Sequence, residues 1–212
     1  MNALRAYTDR VRALGWPLLM TGFAVLLGLV ALSQPVWVYE RSTPGGDVDR
    51  STFGWTMVVE ETWENGVWSS TTWVPYSSPN FPDLRVRDVV GTAYLMGVLA
   101  LISLVVLGGL QYLSRTRRIH PLLFLVTGAM ALGFCAFAVL YPMLTIPTAA
   151  AIDLNSAITG FSGTAPGPGN QVYAWGGGAA WWLWIAATLL TLVVFVVPLA
   201  QRRSWSRPYP AH

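Results

Sequence analysis

Four long stretches of the sequence consist almost entirely of apolar residues and contain no Asp, Glu, Lys or Arg. They run over about residues 14–39, 89–114, 119–152 and 171–201. A helix needs about 20 apolar residues to cross the hydrocarbon core of a bilayer, and each stretch is long enough. The pattern therefore predicts four transmembrane helices, at about residues 15–36, 89–113, 121–146 and 175–200.

A different pattern, in which apolar and polar residues alternate, occupies residues 37–88 between the first two predicted helices. Asn65-Gly66 lies within it, and this dipeptide favours a two-residue β-hairpin turn. Symmetric pairing about the turn places Trp63 opposite Trp68. One face of the hairpin then carries Trp55, Met57, Val59, Trp63, Trp68, Val74 and Tyr76. The opposite face carries Val58, Glu60, Thr62, Glu64, Ser69 and Thr71, with Trp73 as an exception to the alternation.

Two further segments complete the predicted outer region. A lone hairpin is only marginally stable, and Pro35–Arg41, directly after the first helix, has the composition of an edge strand that would support it. Residues 147–174, before the fourth helix, contain the run TAPGPGNQ, which predicts irregular, turn-rich backbone. The preceding run TAAAIDLNSAITG favours a continuation of the third helix beyond the membrane.

Composition and charge agree with a membrane protein and predict its orientation. Of the 212 residues, 54% are hydrophobic and 11% are charged, whereas soluble domains carry about 25% charged residues. Arginines are in excess in the N-terminal segment, in the turn at residues 114–120 and in the tail at residues 201–212. Residues 37–88 instead hold eight acidic residues and four arginines. The positive-inside rule then predicts cytoplasmic termini and two outer loops.

The arginine clusters next to the predicted helices have a simple interpretation. They are small, scattered and close to the bilayer, so they predict contacts with anionic lipid headgroups and no nucleic-acid partner. The candidate residues for these lipid contacts are Arg115, Arg117, Arg118, Arg202 and Arg203.

The predicted fold is a mainly α membrane protein, a four-transmembrane-helix bundle with a small extracytoplasmic antiparallel β-sheet between helices 1 and 2. This order of elements resembles the claudin-like tetraspan group, which includes claudins, peripheral myelin proteins and stargazin-type auxiliary subunits. Local matches are Pro35-Val36-Trp37, Gly54-Trp55, an arginine before the second helix (Arg85 or Arg87) and Tyr173-Ala174-Trp175-Gly176.

The resemblance covers nearly the whole chain in architecture but departs from the group in the outer sheet. The group's Gly-Leu-Trp motif and its pair of disulfide-bonded cysteines are absent, because Cys135 in the third helix is the only cysteine. The resemblance implies a protein that acts by lateral association, either in strands between cells or as an auxiliary subunit.

The sequence offers few residues for chemistry. No ionisable residue lies at the centre of a predicted helix, where such a residue usually indicates function. His120 lies at the end of the third helix, and a haem or copper site needs more than one well-placed imidazole. Asp47 and Asp49 share a strand face and are conceivable calcium ligands, although a solvated loop is favoured. We therefore expect no catalytic, metal or cofactor site, and a chain that is not an enzyme.

The tryptophan-rich outer segment and the fourth helix are the candidates for protein contacts. The predicted partner-binding residues are Trp55, Trp63, Trp68, Trp73, Tyr76, Trp181 and Trp184. We expect a non-catalytic accessory or structural subunit of a larger integral-membrane complex, acting through helix packing and an outer β-sheet docking surface. Two alternatives stay open: a self-associating, claudin-like adhesion or barrier protein, and a subunit of a redox or pigment-binding membrane enzyme.

Overall fold

The computed structural model describes residues 15–79, 84–114, 119–154 and 158–203. Within these residues, the helices α1 to α4 are Trp16–Ala31, Arg85–Leu113, Pro121–Asp153 and Ala179–Arg203. The strands β1 to β6 are Trp37–Ser42, Val48–Phe53, Met57–Glu64, Val67–Pro75, Gly163–Pro166 and Val172–Gly177. A short 3-10 helix, Pro168–Asn170, lies between the last two strands.

The helices agree with a membrane-embedded, mainly α fold. Three of them, α2, α3 and α4, are long and apolar enough to cross a membrane. The first, α1, is a shorter apolar helix of 16 residues in the described part of the chain. Sixteen residues extend over about 24 Å, which is less than the roughly 30 Å of a hydrocarbon core. The prediction of four helices is met, and three of them have the predicted spanning length.

The helices pack through small side chains and turn large ones outward. The first helix contacts α2 and α4, and α3 contacts the same two neighbours. On α1, the buried residues Thr21, Ala24, Gly28 and Ala31 recur every three or four positions and so form one stripe. Phe23 on the same helix is exposed. This arrangement suits a bilayer, because lipid tails solvate large apolar side chains while small residues let helices approach closely.

The strands form one antiparallel sheet with the order β4-β3-β2-β1-β6-β5. The prediction of an edge strand at Pro35–Arg41 is therefore wrong, because β1 pairs with β2 on one side and β6 on the other. The prediction of irregular backbone at residues 147–174 is also wrong in part, since β5 and much of β6 lie there. The Gly- and Pro-rich run supplies β5 and the turn that follows it, and β6 extends to Gly177 before α4 begins.

The hairpin of β3 and β4 has the predicted turn but a different register. Asn65 and Gly66 have φ of 50° and 76°, as a type I′ turn requires, and Trp63 lies opposite Trp68. Beyond this pair the register shifts by one residue, because Ser69 is an extra residue in a β-bulge.

The bulge changes which side chains share a face. A shift of one residue moves every following side chain of β4 to the opposite face of the sheet. The predicted faces are therefore wrong beyond Trp68: Val74 lies opposite the buried Val58, and Trp73 lies opposite Val59. One face carries Met57, Val59, Trp63, Trp68 and Trp73, together with Glu61 and Thr71, and the other carries Val58 and Val74.

Backbone hydrogen bonds join the sheet to the bundle where the chain leaves α1 and where it enters α4. The Val36 N–H donates to the Phe53 carbonyl at 2.8 Å, and the Val36 carbonyl accepts from the Gly178 N–H at 2.8 Å. The Pro35 carbonyl accepts from the Ala180 N–H at 2.9 Å. A Cβ on Gly178 would collide with the Pro35 carbonyl oxygen, so this approach requires glycine.

Asp153 links the end of α3 to the start of α2. Its Oδ2 accepts a hydrogen bond from the Val86 N–H at 2.8 Å. The N-cap residue of α2, Leu84, makes no side-chain cap, so a carboxylate distant in sequence takes that role. A negative charge at a helix N-terminus also interacts favourably with the helix dipole. The contact therefore fixes the two helices relative to each other at the end that carries the sheet.

Replacing Gly178 with alanine should lower the free energy of unfolding by about 1–3 kcal/mol, because the new Cβ forces the two chain segments apart. Gly133→Ala is the matched control, since a Cβ there meets no atom within 4 Å and alanine favours a helix more than glycine does. Thermal unfolding of both variants in detergent, followed by circular dichroism, measures the difference. Equal melting temperatures would contradict the close approach at Gly178.

Asp153→Ala should cost about 1 kcal/mol of stability, because the first turn of α2 loses its acceptor. We expect a smaller loss for Asp153→Asn, which keeps an oxygen acceptor and loses only the charge. The exposed Glu60→Ala serves as the control for removing an acid elsewhere. The same unfolding measurement applies, and a loss no larger for Asp153→Ala than for Glu60→Ala would refute the capping role.

Candidate docking surface

One group of tryptophans faces inward and satisfies backbone carbonyls. The indole N–H donates from Trp37 to Phe161 (3.0 Å), from Trp55 to Ala31 (2.7 Å), from Trp175 to Gly160 (2.8 Å) and from Trp181 to Val139 (3.0 Å). These bonds connect the sheet, the loops and the helices to one another. The four side chains are therefore engaged within the chain itself.

Several residues that the sequence predicts to bind partners lie in this interior. Trp55 is buried, and Trp184 is fully buried where α4 meets Gly28 of α1 and Gly97 of α2. Among the described residues, the Trp184 indole N–H has no hydrogen-bond partner. Tyr76 is partly buried and donates its hydroxyl to the Gly54 carbonyl at 2.9 Å. Burial raises the pKa of the Tyr76 phenol above its usual value.

A second group of tryptophans points outward from the sheet. Trp68 and Trp73 on β4 are 59% and 65% exposed. The bulge places both on the same face as Trp63, and Met57 and Val59 of β3 lie on that face too. We call this set of five residues, Met57, Val59, Trp63, Trp68 and Trp73, the tryptophan face.

Trp63 forms the inner border of the tryptophan face. The guanidinium of Arg50 lies over its ring, 5.2 Å from the ring centroid, in a cation–π contact. Two hydrogen bonds of 2.8 and 2.9 Å hold the same guanidinium on the carboxylate of Glu40. Trp63 is therefore half-buried and positioned by neighbouring strands, while Trp68 and Trp73 supply most of the exposed aromatic area.

The tryptophan face has the chemistry of a protein contact. Large exposed apolar patches are uncommon on soluble surfaces and usually mark an interaction site. Tryptophan is enriched among the residues that dominate binding free energy, because one ring buries a large area at low entropic cost. The Trp68 indole donates to the Thr71 Oγ1 at 3.0 Å, which holds the ring in place on the strand surface.

The other candidate residues lie apart from this face. Asp49 pairs with Arg41 at 2.6 Å, and Asp47 accepts from the Asn65 N–H at 2.9 Å, so both carboxylates bind within the sheet. His120 accepts from the Leu122 N–H at the start of α3. In residues 15–79, 84–114, 119–154 and 158–203, no three His, Cys, Asp or Glu side chains are grouped as a metal site would require.

The predicted lipid-binding arginines are not placed by the structure. Arg115, Arg117 and Arg118 lie outside the described residues. The backbone of α4 extends to Arg203, and the side chains of Arg202 and Arg203 also lie outside the description. Their contact with lipid headgroups stays a prediction.

Comparison with known proteins identified no relative of this chain. No protein-family model matches the chain. No curated protein matches it either. The resemblance to the claudin-like group therefore stays a prediction, and the candidate surface is interpreted from its own residues.

The exposure of Trp68 and Trp73 can be tested by fluorescence quenching. Replacing both with phenylalanine should lower the fraction of tryptophan emission that acrylamide quenches in detergent, because these rings lie open on the sheet. Trp175→Phe is the control, since that ring is buried and its loss should leave the quenchable fraction nearly unchanged. A quenchable fraction that is the same with and without Trp68 and Trp73 would show that the face is covered.

Proposed function

We propose that this protein is a non-catalytic accessory subunit of a larger integral-membrane complex in the cell membrane. Three helices have the length and composition for spanning, which supports a membrane location. The distribution of arginine supports cytoplasmic termini, with the sheet on the outer side. The arrangement of four helices, with strands inserted after the first and third, supports the claudin-like interpretation.

The observation that carries this proposal is the exposure of Trp68 and Trp73 on one face of an anchored sheet. Two exposed indoles with Met57 and Val59 beside them, and with Glu61 and Thr71 between the two tryptophan positions, form a largely aromatic surface on a rigid support. Such a surface fits another subunit better than water, because burying tryptophan and methionine releases apolar area from solvent. The neighbouring partner would contact the sheet outside the membrane and the large apolar side chains of the helices within it.

The test is purification of the tagged full chain from its native membranes in mild detergent. Wild-type protein should retain stoichiometric foreign polypeptides, identified by mass spectrometry. Trp68→Ser combined with Trp73→Ser should reduce their recovery by about tenfold or more, since truncating hot-spot residues costs over about 1–2 kcal/mol each.

Val172→Ser is the matched control, because Val172 is an exposed apolar residue on β6, on the far side of β1 from the tryptophan face. It should leave recovery of the foreign polypeptides unchanged. Absence of foreign polypeptides from the wild-type preparation, or full retention by the double serine variant, would overturn the proposal.

A second candidate function, self-association, is favoured by a separate observation. Among the described residues, β4 has one strand neighbour, β3, and so forms an open edge of the sheet. An open edge offers backbone donors and acceptors to another strand. Recovery of copies of this chain without foreign polypeptides would favour this candidate over the accessory role.

A further inference from the structure

The two edges of the sheet differ in a way that matters for binding. One edge, β5, has four residues and ends in Pro166, so it offers few backbone groups. The other edge, β4, has nine residues with the sequence VWSSTTWVP and no charge. Proteins usually protect a long edge with charged residues or proline within the strand, because unpaired strands recruit other strands. Here proline occurs only at the end, as Pro75.

The backbone of β4 leaves a regular set of groups facing away from β3. Alternate residues of an antiparallel strand direct their N–H and C=O groups to opposite sides. The Tyr76 N–H donates to the Thr56 carbonyl next to β3, so the same parity directs Val74 and Thr72 inward. Thr71 and Trp73 then present their backbone groups outward. Trp68 does so too, because it follows the hydrogen-bonded pair that closes the two-residue turn.

The sequence of β4 is nearly palindromic. The run Val67–Val74 is V-W-S-S-T-T-W-V, with Val and Trp at each end and four hydroxyl residues between them. In a regular strand of this length, Trp68 and Trp73 would lie on opposite faces. The bulge at Ser69 removes that conflict, so both tryptophans lie on one face and both terminal valines on the other. The pattern is then symmetric about Thr71.

We propose that β4 binds the β4 strand of a second copy of this chain, antiparallel and two-fold symmetric about Thr71. Trp68 of one copy then lies opposite Trp73 of the other, and Val67 lies opposite Val74. Thr71 lies opposite Thr71 of the second copy, and Ser69 stays outside the ladder. Every outward backbone group of Trp68, Thr71 and Trp73 gains a partner, and the two sheets become one.

Side-chain chemistry favours this pairing over a foreign strand. Each Trp68–Trp73 pair across the two-fold axis brings two rings together, and aromatic pairs add favourable energy beyond their buried area. Ser70 lies opposite Thr72, a pairing that allows hydroxyl hydrogen bonds. The strand itself brings no charge into the contact. A second copy of the chain supplies a matching strand, because β4 placed antiparallel to itself pairs like residues with like.

The direction of the strands determines where the two copies must lie. The β1 strand leaves the end of α1, and β6 leads into α4, so the strands start from one end of the bundle. The Gly66 N–H donates to the Gly46 carbonyl, which places the turns of both hairpins together at the far end. Antiparallel pairing therefore puts the two helix bundles at opposite ends of the joined sheet. With the sheet outside the membrane, as the proposed function has it, the copies lie in two facing membranes.

A charge-swap experiment at the symmetry axis tests the pairing. Thr71→Lys alone and Thr71→Glu alone each place like charges opposite one another, which destabilises a cross-strand pair. The purified full-length chain is reconstituted into neutral phosphatidylcholine vesicles at 0.15 M salt, and vesicle clustering is measured by light scattering. Wild-type vesicles should cluster. For each variant alone, the extent of clustering should fall by about fivefold or more. Mixing Lys-bearing with Glu-bearing vesicles should restore clustering.

The controls separate pairing from folding and from surface charge. Glu61 of β3 lies opposite Thr71 in the same chain, so the Glu variant repels it and the Lys variant attracts it, and only Glu keeps an acceptor for the Trp68 indole. These effects within one copy are the same before and after mixing, so recovery in the mixture reports contact between copies and shows that both variants are folded. Thr164→Lys and Thr164→Glu, on the exposed β5 edge, should cluster like wild type. Wild-type vesicles that do not cluster, single variants that cluster fully, or a mixture that does not recover would each overturn the proposal.

A cysteine at the axis gives a second readout. Residues that face each other in a hydrogen-bonded antiparallel pair have Cα atoms about 5.5 Å apart, within the range for a disulfide. Thr71→Cys should therefore cross-link two copies under mild oxidation, while Thr164→Cys should not. The single native cysteine, Cys135, is buried and does not compete. Failure of a folded Thr71→Cys variant to cross-link would also overturn the proposal. Both assays use the purified chain, so their outcome is independent of whether foreign subunits bind the tryptophan face.

Discussion

The sheet depends on a junction where inward-facing tryptophans satisfy backbone carbonyl groups. The last carbonyls of a helix lack intrahelical donors, and in an apolar setting an unpaired carbonyl is costly. Trp55 donates to Ala31, the last residue of α1. Trp181 on α4 donates to the Val139 carbonyl in the interior of α3, and so joins these two helices. Each indole supplies a large apolar body to the core and a single donor to the backbone. Trp55 thereby holds the segment between β2 and β3 on the end of α1.

Because one face of the sheet is anchored to the helices, the opposite face is the one exposed at β3 and β4. Trp37 and Phe53 pack with ring centroids 5.4 Å apart, and with Val58 they bury one face of the sheet near the bundle. The opposite face then has no support from the helices at β3 and β4. Its tryptophans are stabilised locally, by Arg50 over Trp63 and by the Thr71 hydroxyl beneath the Trp68 indole. The same residue type thus serves two purposes, and its position relative to the junction decides which.

One extra residue in β4 connects the fold to both proposed interactions. Without the bulge at Ser69, Trp73 would lie on the face of Val58 and could not join Trp63 and Trp68. With it, Trp63, Trp68 and Trp73 lie on one face and the strand becomes symmetric about Thr71. A subunit that docks on the tryptophan face would contact the rings of Trp68 and Trp73. A second copy that pairs along the β4 edge would bind the outward backbone groups and bring its own tryptophan rings beside the same two side chains.

The sequence by itself determined the features that arise from local chemistry. Apolar stretches of sufficient length predict the helices, and Asn65-Gly66 predicts the turn that positive φ values confirm. It did not determine the neighbours of β1, the pairing of β5 with β6, or the register beyond Trp68, because these depend on contacts between residues distant in sequence. Tertiary structure alone decided that Trp55 and Trp184 lie inside while Trp68 and Trp73 lie outside. All four are tryptophans, and packing distinguishes the core positions from the surface ones. Trp55 is buried where the sheet meets the end of α1, and Trp184 is buried between helices.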